Sequence, residues 1–177
     1  MDFLYLLVEG EYDLKFFNSI YSDLVNLTGI YNIHIIRYQS KLKKKKLVNG
    51  IINSSKRNNS HYFLIGDLDS HSFPCITHRK EDLKNYYVDA DLNKIIIVKE
   101  EIESWYFSGL TTKLSFFNSE NLSYDCSKEE FESSIVDNNS KMDCITEIME
   151  NFDINLAIKN NESFKYFINK LKSLKTN

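Results

Sequence analysis

The stretch FLYLLVEGEYD runs from Phe3 to Asp13. Phe3 to Val8 is an unbroken apolar run, the pattern of a strand buried on both faces rather than an amphipathic one. It stops abruptly at Glu9-Gly10. From Glu11 to Leu27 the apolar residues Leu14, Phe17, Ile20, Tyr21, Leu24 and Val25 recur at helical spacing. A buried strand passing through a glycine directly into a helix is the first half of a βαβ unit.

The same alternation continues outward. YNIHIIR (Tyr31–Arg37) reads as a second strand and Ser40 to Ser55 as a helix, with Leu47, Val48, Ile51 and Ile52 on one stripe. HYFLIG (His61–Gly66) is a third strand ending at Asp67-Leu68-Asp69-Ser70. Thr77 to Tyr87 is a short helix, KIIIV (Lys94–Val98) a fourth strand, and Glu101 to Leu110 a further helix or turn. Strands separated by helices, with links too long for hairpins, predict an α/β fold. Its core is a mostly parallel, four-stranded, Rossmann-like sheet flanked by helices. Beyond residue 111 the pattern turns helical, over Ser127–Val136, Lys141–Phe152 and Asn161–Leu174, with Asn160 or Asn161 as an N-cap. The expected organisation is an α/β core over 1–110 and a mainly helical extension over 111–177 packed on the same domain. Residues 111–126 read as an irregular loop or a short strand.

In an open parallel sheet, functional groups gather at the carboxyl ends of the strands. Here the first strand ends at Glu9, the third at Asp67 and Asp69, and the fourth is followed by Glu100, Glu101 and Glu103. Asp13, four residues after Glu9, falls on the first helical turn and faces back to that edge. Carboxylates crowded on one edge repel one another unless a cation neutralises them. Hard oxygen donors without histidine suit Mg²⁺ (or Mn²⁺), as one or two ions whose remaining oxygens come from water and a phosphate-bearing substrate. Gly10 is expected to allow the tight turn from strand to helix, and Gly66 to keep the site uncrowded. Each acid also has a plainer reading, as a helix cap or turn residue. It is the pairing of Glu9 with Asp67-x-Asp69, each closing an apolar strand, that points to chemistry.

Taken together, VEGEYD and the later IGDLDS resemble the TOPRIM domain of topoisomerases, primases and OLD-family nucleases. The sequence is similar above all to small TOPRIM-like proteins related to OLD nucleases, in which an I-E-x-W segment follows a strand. Ile102, Glu103 and Trp105 of IIIVKEEIESWYFSGL stand at the matching positions, and INLAIKNNESFKYFINKL resembles their closing helix. The resemblance implies a TOPRIM-like sheet in which Glu9 serves as acid/base or metal ligand and Asp67 and Asp69 hold metal. Asp13 and Glu103 are then candidates for a second metal position. It implies a metal-dependent nuclease, acting on DNA ahead of RNA, with an antiphage defence role and an ATPase partner in trans. No Walker-A sequence G-x-x-x-x-G-K-[ST] occurs in this chain. A non-catalytic TOPRIM-like binding subunit and a small-molecule phosphohydrolase remain the alternatives.

The net charge of -3 gives no global attraction to nucleic acid. A local patch must therefore supply it, and Lys41, Lys43, Lys44, Lys45 and Lys46, with Lys56 and Arg57 on the same helix, form the concentrated one. Lys99 or Lys159 is expected to offset charge at the reacting phosphorus. His71, Cys75 and His78 have a spacing that zinc accepts but lack a fourth ligand. Cys75, Cys126 and Cys144 are expected to be free thiols in a reducing compartment. The N-terminus lacks a basic segment and no stretch is long and apolar enough to span a bilayer, so a soluble cytoplasmic protein, free of membrane and compatible with a homodimer, is expected. Trp105, Tyr106 and Phe107 read as core.

Overall fold

The computed structural model describes residues 3–38, 42–69, 72–118, 120, 122–136 and 140–176, apart from the side chains of 42, 43, 175 and 176. The elements in chain order are β1 (Phe3–Val8), α1 (Glu11–Ser19), α2 (Tyr21–Thr28), β2 (Asn32–Arg37), α3 (Leu42–Arg57), β3 (His61–Asp67), α4 (Ile76–Tyr86) and β4 (Ile95–Val98). They are followed by α5 (Ile102–Ser108), α6 (Lys128–Ser133), α7 (Lys141–Glu150), α8 (Ile154–Asn160) and α9 (Glu162–Lys172).

The fold is α/β, with a four-stranded, all-parallel sheet in the order β2-β1-β3-β4, flanked by helices. β1 pairs with β2 from Phe3↔Asn32 to Val8↔Arg37, and with β3 from Leu4↔His61 to Leu7↔Leu64. The chain therefore lays β2 on one side of β1 and then crosses to the other side for β3 and β4. The reversal of strand order falls between β1 and β3, and the crevice outside their carboxyl ends is where such sheets bind ligands.

Alternation along the strands explains the core. Leu7, Tyr62, Leu64, Ile95 and Ile97 pack with Val48 and Ile52 of α3 and Leu83 of α4. The residues between them, Leu4, Leu6, Val8, Phe63, Ile65 and Ile96, are buried as well. A period-two pattern with both phases buried is what a helix-covered parallel sheet requires.

Contacts divide the chain into two compact units, Met1–Ile97 together with Lys170–Asn177, and Val98–Asn169. The first contains the sheet apart from the end of β4. The second has its own aromatic core, in which the Trp105 ring lies 5.1 Å from Phe164 and 5.4 Å from Phe167. Trp105 Nε1 donates to Ser163 Oγ at 2.7 Å, and Ser163 Oγ donates to Asn161 Oδ1 at 2.8 Å. Asn161 Oδ1 also accepts the Phe164 N–H at 2.9 Å and so caps α9.

The helices depart from the sequence reading in places, and α6 and α7 end earlier than expected, at Ser133 and Glu150. The helix expected over 11–27 breaks at Ile20 into α1 and α2. Ser19 Oγ donates back to the Lys15 carbonyl at 2.9 Å, a bond that competes with the helical ladder and bends helices. α8 has no counterpart in the sequence reading. Its seven residues are too few to show a stripe, and its start is set by Asp153, whose Oδ1 accepts the N–H groups of Asn155 and Leu156. Residues 111–126 are irregular where described, with an isolated antiparallel bridge from Phe117 to Ile135. Among the described residues no helix is long and apolar enough to cross a membrane.

Candidate functional site

Glu9 and Asp67 are brought together at the switch between β1 and β3. Continuing the β1–β3 register two places past Leu7↔Leu64 sets Glu9 level with Gly66, and the Asp67 N–H donates to Glu9 Oε2 at 3.3 Å. Glu9 is about a third exposed, its side chain retaining 33% of its surface. It can therefore meet a ligand from solvent without being stripped of all water. Asp67 is half-buried, with its Oδ1 shut away from solvent. Asp69, two residues on, is exposed and holds φ at 50°, a left-handed backbone that costs most non-glycine residues about 1 kcal/mol but is tolerated by Asp. Its carbonyl accepts the N–H groups of Ser72 and Phe73 at 2.8 and 3.0 Å, which closes the turn.

Gly66 is glycine for lack of room. A Cβ there would lie 2.9 Å from Tyr38 Oη, 3.2 Å from Glu9 Oε2 and 3.2 Å from Leu83 Cδ1. Tyr38 is pinned beneath, donating to the Ile65 carbonyl at 2.8 Å, and burial followed by the Glu9 charge raises its phenol well above the ordinary range. Gly66→Ala is expected to lose about 1–3 kcal/mol of stability, the usual cost of overpacking. Glu9 is expected to be pushed outward, weakening its bond to the Asp67 amide; calorimetric unfolding of the variant beside the wild type reads the loss.

Gly10 has a different reason from the one its sequence position suggests. Its φ of -118° is open to any residue, so no glycine is needed for the turn itself. A Cβ at Gly10 would lie 3.0 Å from Asp13 Oδ2, the atom that accepts the Gly10 N–H at 3.0 Å. Asp13 is buried, at 3% exposure, and this bond makes it the cap that starts α1.

The residue that sequence reasoning missed is Arg79, on the first turn of α4. Its Nη2 donates to Glu9 Oε2 at 3.2 Å and Oε1 at 3.4 Å, its Nε to the Asp67 carbonyl at 2.8 Å, and its Nη1 to Asp82 Oδ2 at 3.0 Å. The guanidinium also lies 4.7 Å from the Phe73 ring centre. One signal was available. Only three of the 22 basic residues are Arg, and a lysine could not supply this fork of contacts.

The basic helix divides into two ends. Its 16 residues make α3 about 24 Å long, so Lys44–Lys46 and Lys56–Arg57 lie near opposite ends of the sheet. Lys44 Nζ donates to the Arg37 carbonyl at 3.1 Å, at the carboxyl end of β2, and Lys45 Nζ lies 4.5 Å over the Tyr86 ring. Lys46 is exposed. At the far end, Lys56 bonds Asp91 at 2.9 Å and the Asp89 carbonyl at 2.7 Å, and Arg57 bonds the Asn53 carbonyl at 3.3 Å. Lys41 and the Lys43 side chain lie outside the described residues. Only the Lys44 end belongs to the edge that carries Glu9.

Glu103 lies in the second unit, 2% exposed, with Lys141 Nζ 2.5 Å from its Oε1. Lys141 also reaches Glu132 at 2.8 Å. Burial pulls the Lys141 ammonium down, and its hydrogen bonds to Glu103 and Glu132 more than reverse this, leaving it above the ordinary lysine value. Glu101 accepts the Lys128 N–H at the start of α6, and burial raises its carboxyl. Glu100 is half-buried with φ at 59°. Lys99 is paired with Asp125 at 2.6 Å, and Lys159 is exposed at the end of α8.

Cys75 and His78 form an exposed pair, Sγ to Nδ1 3.0 Å, at the start of α4. Hydrogen bonds from the His78 backbone and ring lower the Cys75 thiol, whereas burial raises Cys126 to about 12. His71 lies outside the described residues. No cluster of three or more His, Cys, Asp or Glu side chains fit to hold a metal forms among the described residues. As donors, Glu9 and Asp67 fit the narrower mode in which Mg²⁺ takes one or two carboxylates and keeps several waters.

The class defined by these features is a parallel α/β sheet with acids at its switch point and an arginine fastened across them. Comparison with protein-family models, curated proteins and solved structures finds no match to this chain.

Proposed function

We propose that this chain is a Mg²⁺-dependent nuclease of TOPRIM type, acting on DNA ahead of RNA. The observation that supports this reading is the Glu9 carboxylate lying against the Asp67 amide at the strand switch. Glu9 and Asp67, with Asp69 beyond them on the exposed turn, would hold the ion, in one or two positions. When bound, Mg²⁺ or Mn²⁺ lowers the pKa of a coordinated water and draws charge from phosphate oxygens.

The chain's own groups do the rest. Glu9, partly exposed, with Oε2 accepting from the Asp67 amide and both oxygens from Arg79, is placed to exchange a proton with water at the crevice once Arg79 releases it. Lys44 and Arg37, at the neighbouring carboxyl end of β2, offer cations to phosphates of the nucleic-acid backbone without reading sequence. An ATPase partner and a role in antiphage defence follow from the family resemblance alone.

A second reading is favoured by one observation. Arg79 touches both Glu9 oxygens, and a permanent ion pair there would make the chain a non-catalytic binding subunit. The two are separated by incubating the purified protein with plasmid, linear DNA and RNA in Mg²⁺ or Mn²⁺, with chelator as control. Metal-dependent cleavage is expected. Substrates left intact under all conditions, with DNA still retained, would replace the nuclease by the binding subunit.

A further inference from the structure

Arg79 is a cation that the fold itself delivers to an acidic site. Its four hydrogen-bond contacts are unequal. The Nε bond to the Asp67 carbonyl is the shortest at 2.8 Å, and Nη1 holds Asp82 at 3.0 Å. The two bonds from Nη2 to Glu9 are the longest, at 3.2 and 3.4 Å. The side chain is only 12% exposed and rests on the Phe73 ring. The guanidinium is thus tethered along two edges, and its third edge lies on the group most useful to a metal ion.

Two consequences follow from charge alone. An arginine on Glu9 opposes a divalent cation binding there, because both compete for one carboxylate and repel each other. Once a cation holds Glu9, the Nη2 edge loses its partner while the tether to the Asp67 carbonyl remains. A planar fork held beside the site then suits an oxyanion with two acceptor oxygens, which a phosphodiester supplies.

We infer that Arg79 is a phosphate-seating arm held in reserve by Glu9, passing its Nη2 edge to a phosphate oxygen of the nucleic acid when a divalent cation takes Glu9. This rests on the nuclease reading of the site and adds an order of events to it. Metal and nucleic acid bind with positive coupling through one side chain, and the coupling is reciprocal. In their absence the acids are neutralised internally.

The full chain is titrated with Mn²⁺ by calorimetry and with a short fluorescent single-stranded DNA by anisotropy, each with and without the other ligand, the DNA being checked for integrity afterwards. In the wild type each ligand is expected to tighten the other. Arg79→Gln is expected to bind Mn²⁺ about tenfold more tightly and DNA about tenfold more weakly, with the coupling abolished. Arg79→Lys separates charge from shape: Mn²⁺ affinity stays near wild type, because a cation still competes for Glu9, whereas DNA affinity falls. It also keeps the test available if Arg79→Gln does not fold. If Mn²⁺ binding needs Glu9 but is unchanged in Arg79→Gln, or DNA affinity is unchanged in Arg79→Lys, the arm is wrong and the metal site stands. If Glu9→Gln and Asp67→Asn bind Mn²⁺ as the wild type does, the metal reading of the site falls and takes the arm with it.

Discussion

On the proposed nuclease reading, Glu9→Gln is expected to lower metal-dependent cleavage by on the order of 10²–10⁴-fold, the range for losing a positioned acid or base. The amide has the shape of the carboxylate and can still accept the Asp67 N–H, now 3.3 Å from Oε2. What disappears is the negative charge and the ability to exchange a proton. The fold should tolerate the change, because Glu9 is about a third exposed and its ion pair with Arg79 is partly screened. Arg79 also keeps its bonds to Asp82 and to the Asp67 carbonyl. Cleavage rate and thermal unfolding should therefore separate, with a large loss in the first and a shift of a few degrees at most in the second. Cleavage persisting at wild-type rate would remove Glu9 from the chemistry.

Lys141→Met is expected to destabilise the protein by about 3–5 kcal/mol, the cost of leaving a buried charge without its partner. Glu103 is 2% exposed, and Lys141, itself 11% exposed, is bonded to it at 2.5 Å. Combining Lys141→Met with Glu103→Gln should recover most of the loss, because no ion is then left in the interior. The same pair has a pH signature. Lys141 is raised above its ordinary value in the folded chain, so folding tightens its hold on the proton. The resulting stability is fully present below the unfolded pKa of about 10.4 and is lost as pH rises through the folded value. Denaturant unfolding of wild type and Lys141→Met between neutral and alkaline pH should show the gap narrowing above that point. A single-mutant loss under about 1 kcal/mol would mean that the pair is hydrated, contrary to its burial.

Much of the candidate site was legible because strand ends obey a rule. An apolar run that stops at an acid places that acid at the edge of a sheet, and two such parallel runs, with another strand and its helices between them in sequence, put Glu9 and Asp67 on the same edge. Side-chain partners across long separations were not legible. Arg79 is 70 residues from Glu9 in sequence, and only the seating of α4 beside β3 brings its guanidinium there. Glu103 reads as one acid among Glu100, Glu101 and Glu103, until Lys141, 38 residues later, is seen bonded to it. The lysines of α3 look like a single patch in sequence, but a rigid helix carries its two ends to opposite edges of the sheet.

Sequence alone determined the alternation of strand and helix, the parallel sheet and the edge on which the first acids lie. Those properties depend on hydrophobic period and chain direction, which are local. The tertiary structure decided which charges meet. It showed which atoms crowd Gly10 and Gly66, Asp13 Oδ2 in one case and Tyr38 Oη with Glu9 Oε2 in the other. It also set Arg79 against Glu9. Burial and charge pairing depend on which surfaces close over one another, and that is settled only when the whole chain has packed.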